Sequence, residues 1–348
     1  MRAWIVAEQD IIENKPLRLV DIPIPQPKQN QVRIKVLFCG ICRTDIHIAE
    51  GDLPLRKSPL ILGHEVVGVV EKVGRNVSRF QVGDKAGVSW LNSACGHCKY
   101  CLAGEENYCQ SFKATGWDED GGYAEYITIA ADFAVSLAGI SLEPAEIPPL
   151  LCPGIAGYAA YKLAKVNKGD KLGLFGFGPT AHCVLKVAQS QGIESYVSTR
   201  SKMNIQRAEN DGAIWVGDTA KIPFPCRTDA AIIFPPAGNL VEPVLSNVNK
   251  GGNVVLAPVS SSKIVIEDYS GNFWGRNLKT LYHVKKSDTE EFFSIVRDLG
   301  DEIRQPIKVF PFEKLQDVLI LVKHGKLEVP NAVIQVEKNT KNQWVKRS

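Results

Sequence analysis

Residues 171–188, KLGLFGFGPTAHCVLKVA, decide the fold of the middle of this chain. A short apolar run, residues 171–175, is followed at once by Gly176 and Gly178. Beyond them the apolar residues recur at helical spacing, at Ala181, Val184, Leu185 and Ala188. The stretch therefore predicts a strand, a tight glycine turn and an amphipathic helix in immediate succession.

The turn reads Gly-x-Gly-x-x-Ala, the pattern of a dinucleotide-binding loop, and it lies between a strand and a helix as that function requires. Gly176 allows the tight turn, Gly178 lets the backbone approach a pyrophosphate, and Ala181 permits close packing of helix on strand. The N-terminus of the helix then faces the phosphates. The alternative is a glycine turn in an ordinary α/β unit.

The next strand ends at Thr199, Arg200, Ser201 and Lys202. An NAD-binding fold usually carries an acidic residue here for the ribose diol, and this chain has none. Two hydroxyls and two cations suit the 2′-phosphate of NADP instead, so we expect NADP(H) to be preferred. The alternative is that Arg200 and Lys202 are solvated loop charges and that NAD(H) is bound.

Working outward, strands and helices alternate through residues 154–286, with further strands expected at residues 229–234 and 254–258. Residues 1–153 instead show short period-two patterns and frequent turns, which favour a barrel-like β domain. We expect residues 287–348 to return to that first domain. The predicted fold class is α/β, with a β-barrel domain beside a doubly wound parallel sheet.

Four of the nine cysteines form the most specific motif of the chain: Cys95, Cys98, Cys101 and Cys109. Thiolates at this spacing can surround one tetrahedral zinc ion, and four sulfur ligands leave no open position, which is typical of a structural site. Unpaired buried thiols and an iron–sulfur cluster are the alternatives.

Residues 40–47, GICRTDIH, place a thiol, a hydroxyl, a carboxylate, a guanidinium and an imidazole in one short stretch. Cys42, His64 and Cys152 could supply three protein ligands with a fourth position open, the arrangement of a catalytic zinc. A lone cysteine is more often a small buried apolar residue, and spacing alone leaves that reading open for Cys42.

Taken together, the motifs resemble those of the zinc-dependent alcohol dehydrogenases of the medium-chain dehydrogenase/reductase superfamily. They are GICRTDIH (40–47), GHEVVGVVEKVG (63–74), CGHCKYCLAGEENYC (95–109), LLCPGIAGY (150–158) and the glycine loop. The resemblance implies a GroES-like catalytic domain, residues 1–153 and 287–348, and a Rossmann domain, residues 154–286. It also implies two zinc ions, a catalytic one at Cys42, His64 and Cys152 and a structural one at the four clustered cysteines.

The resemblance implies roles for five more residues. Asp45 matches a carboxylate that orients the histidine ligand, and Thr44 matches the hydroxyl that hydrogen-bonds the substrate oxygen. His47 matches the outer member of a proton relay, Arg43 a contact to the cofactor pyrophosphate, and Glu65 a glutamate behind the zinc that assists ligand exchange.

The implied activity is reversible hydride transfer between a primary or secondary alcohol, its oxygen on the catalytic zinc, and NADP(H). A polyol or formaldehyde dehydrogenase using NAD, and a non-catalytic NADP-binding redox sensor, are the alternatives. Trp90 and Trp117 are candidate walls of the substrate pocket, or else packing residues. The partner is a small alcohol or aldehyde, and we expect a homo-oligomer, either a dimer or a tetramer.

A net charge of +3 gives no reason to expect nucleic acid or a membrane surface as a partner. No apolar run approaches the ~20 residues of a membrane helix. The first residues lack an apolar signal core, so we expect a cytoplasmic protein. The mildly basic tail, residues 338–348, is expected to be a solvated end.

Overall fold

The computed structural model describes residues 1–337 and residue 344. The tail predicted to be solvated lies outside the described residues except for Trp344, which is buried and has its ring 4.7 Å from the Lys85 ammonium. The chain divides into two compact units, one made of Met1–Cys152 with the chain from Lys285 onward, the other of Pro153–Val284. Each unit has its own core and is described separately.

Residues 1–152 are dominated by short strands. In chain order the strands and α-helices are β1 (Arg2–Val6), β2 (Leu17–Asp21), β3 (Gln31–Gly40), α1 (Arg43–Glu50), β4 (Leu60–Ile61), β5 (Val66–Val73), β6 (Lys85–Val88), β7 (Leu91–Ser93), α2 (Lys99–Leu102), β8 (Lys113–Ala114), β9 (Tyr126–Ala130) and β10 (Val135–Ser136). Single 3₁₀ turns lie at Ile12–Asn14, Glu106–Tyr108, Ala131–Phe133 and Pro144–Glu146, and a π-helical turn at Leu150–Gly154.

Residues 153–284 alternate between strands and helices: α3 (Ile155–Ala164), β11 (Lys171–Phe175), α4 (Pro179–Ser190), β12 (Glu194–Ser198), α5 (Lys202–Asn210), β13 (Trp215–Gly217), β14 (Thr228–Ile233), α6 (Val241–Asn247), β15 (Val248–Leu256) and β16 (Asn277–Thr280). A 3₁₀ turn at Gly238–Leu240 and a π-helical turn at Tyr269–Phe273 complete the unit.

All six strands of this second unit are parallel, in the order β13-β12-β11-β14-β15-β16. This is the doubly wound order of dinucleotide-binding sheets. Ala230 and Ile232 of β14 join one apolar cluster, and Ala231 and Ile233 join another. Successive residues of a strand face opposite sides of its sheet, so both faces are covered, as parallel sheets require.

The last described stretch contains α7 (Lys286–Leu299), β17 (Ile307–Pro311), α8 (Leu315–Lys323) and β18 (Asn331–Gln335), with 3₁₀ turns at Gly300–Ile303 and Phe312–Lys314. β18 pairs antiparallel with β3, placing Val333 beside Gly40. It thereby joins the sheet that runs β10-β6-β5-β3-β18-β17, with β9 also on β3.

β3 is the centre of the first unit, because β5, β9 and β18 all pair with it. Val32, Ile34 and Val36, the period-two residues of the sequence, are all buried. Smaller sheets, β2-β1-β4 and β7-β8, complete this unit. The predicted fold class is confirmed: a GroES-like β domain and a Rossmann-type parallel sheet. In the described ranges, no helix has the length and apolar character needed to cross a membrane.

Candidate active site and nucleotide-binding loop

The chain leaves β3 at Gly40 and reaches Cys42, which is the N-terminal cap of α1. Cys42 is extended (φ −102°, ψ 152°), and its backbone N–H donates to Asp45 Oδ2 at 2.9 Å. This is a capping box, in which the third helical residue satisfies the amide of the cap. The hydrogen bond that starts α1 therefore also fixes the backbone of Cys42, and with it the position of the thiol.

Asp45 is fully buried and joins three segments. Besides Cys42, its carboxylate accepts the Gly63 N–H at 3.2 Å and the Tyr123 hydroxyl at 2.7 Å. Its Oδ1 also lies 3.2 Å from His64 Nδ1. A carboxylate at that nitrogen orients the ring and leaves Nε2 for a metal, which is the role that sequence resemblance implies for Asp45.

Cys152 lies in the π-helical turn Leu150–Gly154, where Pro153 has no N–H to donate. Such widened turns occur often at functional sites. Here the turn brings Cys152 Sγ to 3.8 Å from Cys42 Sγ. The ligand atoms of Cys42, His64, Glu65 and Cys152 all lie within 4.8 Å of one another. The structure thus groups the three expected ligands, and the Glu65 carboxylate with them.

The donor set fits zinc. Two sulfurs, each about 2.3 Å from a tetrahedral ion, lie about 3.8 Å apart, which is the distance between these two thiols. Both nitrogens of His64 are buried and make no hydrogen bond of normal geometry, a costly state for an imidazole unless it has another partner. Two thiolates and one imidazole would satisfy these requirements around a single ion.

The thiols influence each other's protonation. The hydrogen bond from Cys152 holds the pKa of Cys42 well below its ordinary value, opposed by burial and helped by His64. The same contact, together with burial, raises the pKa of Cys152. Burial raises the pKa of Glu65, as does the charge of Cys42. A bound divalent cation favours the thiolate form of both cysteines, because each sulfur ligand binds deprotonated.

The three remaining expected residues lie on α1. The Thr44 hydroxyl is 3.5 Å from Cys42 Sγ. His47, one helical turn later, has its Nδ1 2.7 Å from the carboxylate of Asp52. Arg43 is the first residue of the helix and is exposed.

The cysteine loop forms a second centre. Cys98 caps the four-residue helix α2, and Cys109 follows the 3₁₀ turn Glu106–Tyr108. The Cys101 sulfur lies 3.8 Å from that of Cys95 and 3.6 Å from that of Cys98, and all four sulfurs are within 4.8 Å of one another. α2 has no buried residue, so little apolar core holds the loop in place. Four-sulfur coordination suits a structural zinc.

Backbone N–H groups stabilise one of these sulfurs as a thiolate. The amides of His97 and Cys98 lower the pKa of Cys95 to about 6, while burial raises the pKa of Cys101 to about 12. A bound metal ion would favour the thiolate form of all four cysteines, since each sulfur ligand binds as a thiolate.

The glycine loop has the geometry that its sequence predicts. Gly176 has φ +89°, and a Cβ at that position would lie 3.0 Å from Pro235. Gly178 caps α4, with Pro179 as the first helical residue, and a Cβ there would meet nothing within 4 Å. The helix N-terminus is therefore open to an approaching anion. Ala181 is fully buried where the helix packs.

The expected cofactor selector lies on the neighbouring strand. The Gly176 N–H donates to the Ser198 carbonyl at 2.8 Å, which ties the glycine loop to the end of β12. Thr199 follows and is buried, whereas Arg200, Ser201 and Lys202 are exposed. The Ser201 hydroxyl caps α5 by accepting the Asn204 N–H at 3.4 Å. The structure thus brings these four residues to the same sheet edge as the glycine loop.

Known proteins share this architecture. Residues 28–139 match the alcohol dehydrogenase GroES-like domain. A Mycobacterium tuberculosis protein described as "Probable alcohol dehydrogenase AdhA" is 38% identical over 312 residues, covering 88% of this chain and 90% of that protein. An alcohol dehydrogenase of Geobacillus stearothermophilus is 30% identical and covers 94% of this chain and 97% of its own.

The chain belongs to the zinc-type alcohol dehydrogenases of the medium-chain dehydrogenase/reductase superfamily. The family resemblance seen in the sequence is thereby confirmed, and the protein is an oxidoreductase. Among solved structures, the cinnamyl alcohol dehydrogenase SbCAD4 of Sorghum bicolor superimposes with a TM-score of 0.84 at 26% identity, covering 96% of this chain and 97% of that one.

Sequence reasoning missed two residues of this alcohol dehydrogenase. Tyr123 is fully buried, donates to Asp45 and lies 3.2 Å from the Gly40 carbonyl. Nothing in its local sequence indicates this contact, because Asp45 lies far away along the chain. Asp52 could have been found, since it follows the histidine by five residues across a glycine that ends the helix.

Of the two candidate pocket tryptophans, Trp90 lies against a candidate metal ligand and Trp117 lies against Trp90. The Trp90 ring meets His64 edge-on at 5.1 Å and stacks on Trp117 at 6.0 Å. The Arg56 guanidinium lies 3.5 Å over Trp117. Both indoles also pack against the apolar core, so they serve packing, and Trp90 borders the site as well.

Proposed function

We propose that this alcohol dehydrogenase transfers hydride reversibly between a primary or secondary alcohol and NADP(H), using a catalytic zinc at Cys42, His64 and Cys152. The grouping of these three ligands with Glu65, all within 4.8 Å, carries the proposal. The second zinc is assigned to the four-cysteine loop. We assign the metal chemistry to the first unit and cofactor binding to the second.

Zinc bound there would supply a Lewis acid that lowers the pKa of an alcohol hydroxyl at its open position. Cys42 and Cys152 as thiolates offset the charge of the cation and so moderate its acidity. Asp45 holds the His64 ring, and Glu65 is positioned to assist ligand exchange.

The proton of the alcohol needs a path to solvent. Thr44, with its hydroxyl beside Cys42, is assigned as the acceptor of that proton, and His47 as the residue that delivers it to solvent. A bound cofactor ribose would connect these two residues. A nicotinamide cofactor held by the glycine loop and residues 199–202 would supply NADP⁺ as the acceptor of the hydride that leaves the carbon as the carbonyl forms. In the reverse direction the same residues return the proton.

Cofactor preference rests on Thr199, Arg200, Ser201 and Lys202 at the end of β12. Two exposed cations and the absence of a carboxylate favour the 2′-phosphate. Arg43 and the N-terminus of α4 are assigned to the pyrophosphate. A cytoplasmic location and a homo-oligomer remain predictions from the sequence.

Cys42→Ser tests the zinc assignment. We expect turnover to be lost while the fold is kept, and zinc content to fall from two ions per chain to one, because the structural centre is untouched. Alcohol-dependent reduction of NADP⁺ and metal analysis measure the two effects. Cys226→Ser, which changes a cysteine outside both centres, should keep both zinc ions and full activity. Full activity in Cys42→Ser would refute the proposal.

Thr199→Asp combined with Arg200→Ile tests the cofactor proposal. The new carboxylate would repel the 2′-phosphate and accept hydrogen bonds from a ribose diol, so the NADP/NAD ratio of kcat/KM should fall at least ~10-fold. Asn210→Asp, at the far end of α5, adds a carboxylate away from the selector and should leave the ratio unchanged. An unchanged ratio in the double variant would remove the basis for NADP preference.

A further inference from the structure

The histidine on α1 has an acidic partner that the implied proton relay does not include. His47 Nδ1 lies 2.7 Å from Asp52 Oδ2. The side chains are 43% and 64% exposed, so both groups contact bulk water. Such an exposed pair contributes little to stability. What it can determine is which nitrogen of the His47 ring faces the carboxylate.

The backbone holds Asp52 in place despite its exposure. Gly51 ends α1 in the left-handed conformation, φ +92°, and turns the chain back toward His47. The Leu53 N–H donates to the His47 carbonyl at 3.1 Å. The Gln9 amide donates to the Ile48 and Leu53 carbonyls at 2.6 and 2.7 Å. The residue after Asp52 is thus fixed to the helix at two points.

The other carboxylates near His47 are paired with other groups, whereas Asp52 is paired with His47. Glu50, also on α1, is paired with Lys323 of α8 at 2.7 Å. Glu13, on the 3₁₀ turn packed against α1, is paired with Lys323 and His324. Asp45 is occupied by Cys42 and Tyr123.

Three cationic residues lie near the pair along the chain, at positions 43, 56 and 57. Arg43 lies one helical turn before His47 on the same face of α1, where its charge opposes an imidazolium. Arg56 and Lys57, in the loop after Asp52, pair with Asp118 and Asp120.

We propose that Asp52 is the positioning residue of the proton relay, holding His47 in the tautomer with hydrogen on Nδ1 and a free lone pair on Nε2. A carboxylate accepts hydrogen bonds only, so the nitrogen that faces it must carry the proton. Nε2 then accepts the proton that leaves the alcohol, and the carboxylate stabilises the resulting imidazolium. The imidazolium gives a proton to bulk water and returns to the neutral ring.

This inference rests on the proposed function for its kinetic consequence, but the tautomer can be measured without turnover. Nitrogen-15 spectra of histidine side chains distinguish the two tautomers, and the chain has only six histidines. Signals that vanish in His47→Gln identify that residue. We expect the Nδ1–H form in the native protein, and its loss in Asp52→Asn.

Kinetics give the second readout. Asp52→Asn should lower kcat/KM for alcohol oxidation about 10-fold, the lower end of the loss seen when a carboxylate that orients a metal-bound histidine is removed. In the His47→Gln background the same change should have no further effect.

Glu13→Gln is the matched control. It removes a carboxylate 2.7 Å from another half-exposed histidine, His324, on the same unit. It should leave the His47 tautomer and kcat/KM unchanged. Asp52 would be a merely structural residue if Asp52→Asn lowered Tm with no change in the His47 tautomer, or if its effect on kcat/KM added to that of His47→Gln. Wild-type protein inactive on alcohols with either cofactor would instead contradict the proposed function and leave the tautomer result standing.

Discussion

A single hydrogen atom in place of a side chain makes room for the candidate metal centre. Gly40 ends β3, and its N–H donates to the Glu65 carbonyl at 2.9 Å. A Cβ on Gly40 would lie 2.0 Å from Glu65 Oε2 and 3.0 Å from Glu65 Cδ. The Glu65 carboxylate can therefore occupy its buried place beside the ligands only while residue 40 has no side chain.

Gly40→Ala should displace Glu65, weaken metal binding and lower the free energy of unfolding by about 1–3 kcal/mol, the usual cost of overpacking. Chemical denaturation and zinc affinity measure the two effects. The matched background is Glu65→Ala, which removes the atoms nearest the new methyl, so there Gly40→Ala should cost less. Equal costs in both backgrounds would show that Glu65 is not the residue that clashes.

The candidate metal ligands could be proposed from the sequence because Cys and His are metal-binding side chains and stand here in recognisable family motifs. Asp45, which orients the histidine, could be proposed in the same way, but its own partner Tyr123 could not. Tyr123 lies between two glycines and an alanine in a stretch without a pattern, and only folding brings it to Asp45. A hydrogen bond between distant segments cannot be predicted from the spacing of residues within either segment.

At the scale of elements, α4 and α5 are tied together behind the glycine loop. Asp211, the C-terminal cap of α5, accepts from His182 Nδ1 of α4 at 2.8 Å and lies 3.7 Å from the Lys186 ammonium. His182 is almost fully buried. Burial raises the pKa of Asp211, but the hydrogen bond and charge of His182, with Lys186 and Arg207, outweigh it and leave that pKa lowered.

A carboxyl whose pKa is lower in the folded state stabilises the fold above its unfolded pKa of about 4 and loses that contribution as pH falls below it. Asp211→Asn should therefore lower the free energy of unfolding at pH 7 by about 1–3 kcal/mol. The difference from the native protein should shrink below pH 4 in denaturant titrations. Asp317→Asn, which breaks an exposed pair with Lys15, should have a smaller effect. A difference independent of pH would contradict the charge argument.

Strand prediction succeeded where apolar residues fill the strand and failed where they do not. The run 171–175 is β11, and 229–234 is shifted by one residue from β14 (Thr228–Ile233). The strand expected at 254–258 is instead β15, Val248–Leu256. Its first half contains Asn249, Lys250 and two glycines, which carry no apolar signal, yet Val248 pairs with Thr228 across a register shift.

At the scale of the whole molecule, the alternation of strands and helices predicted a parallel sheet, because consecutive units of that kind admit few other topologies. The sheet order of the second unit agrees with that expectation. No comparable rule predicts that β18 pairs with β3, since their pairing depends on the packing of the entire first unit. Local patterns therefore predicted the contiguous sheet better than the one assembled from distant segments.

That pairing has a consequence for biosynthesis. Residues 153–284 are continuous, so the ribosome can release all six of their strands before β18 has been translated. The edge of β3 next to Cys42 stays unpaired until then, because Gly40 pairs with Val333 and the Ile41 N–H donates to the Ala332 carbonyl. During translation the strand edge beside the thiol-bearing turn is thus still unpaired, although the residues that contact Cys42 and Asp45, all within residues 42–152, are already in place to pack against them.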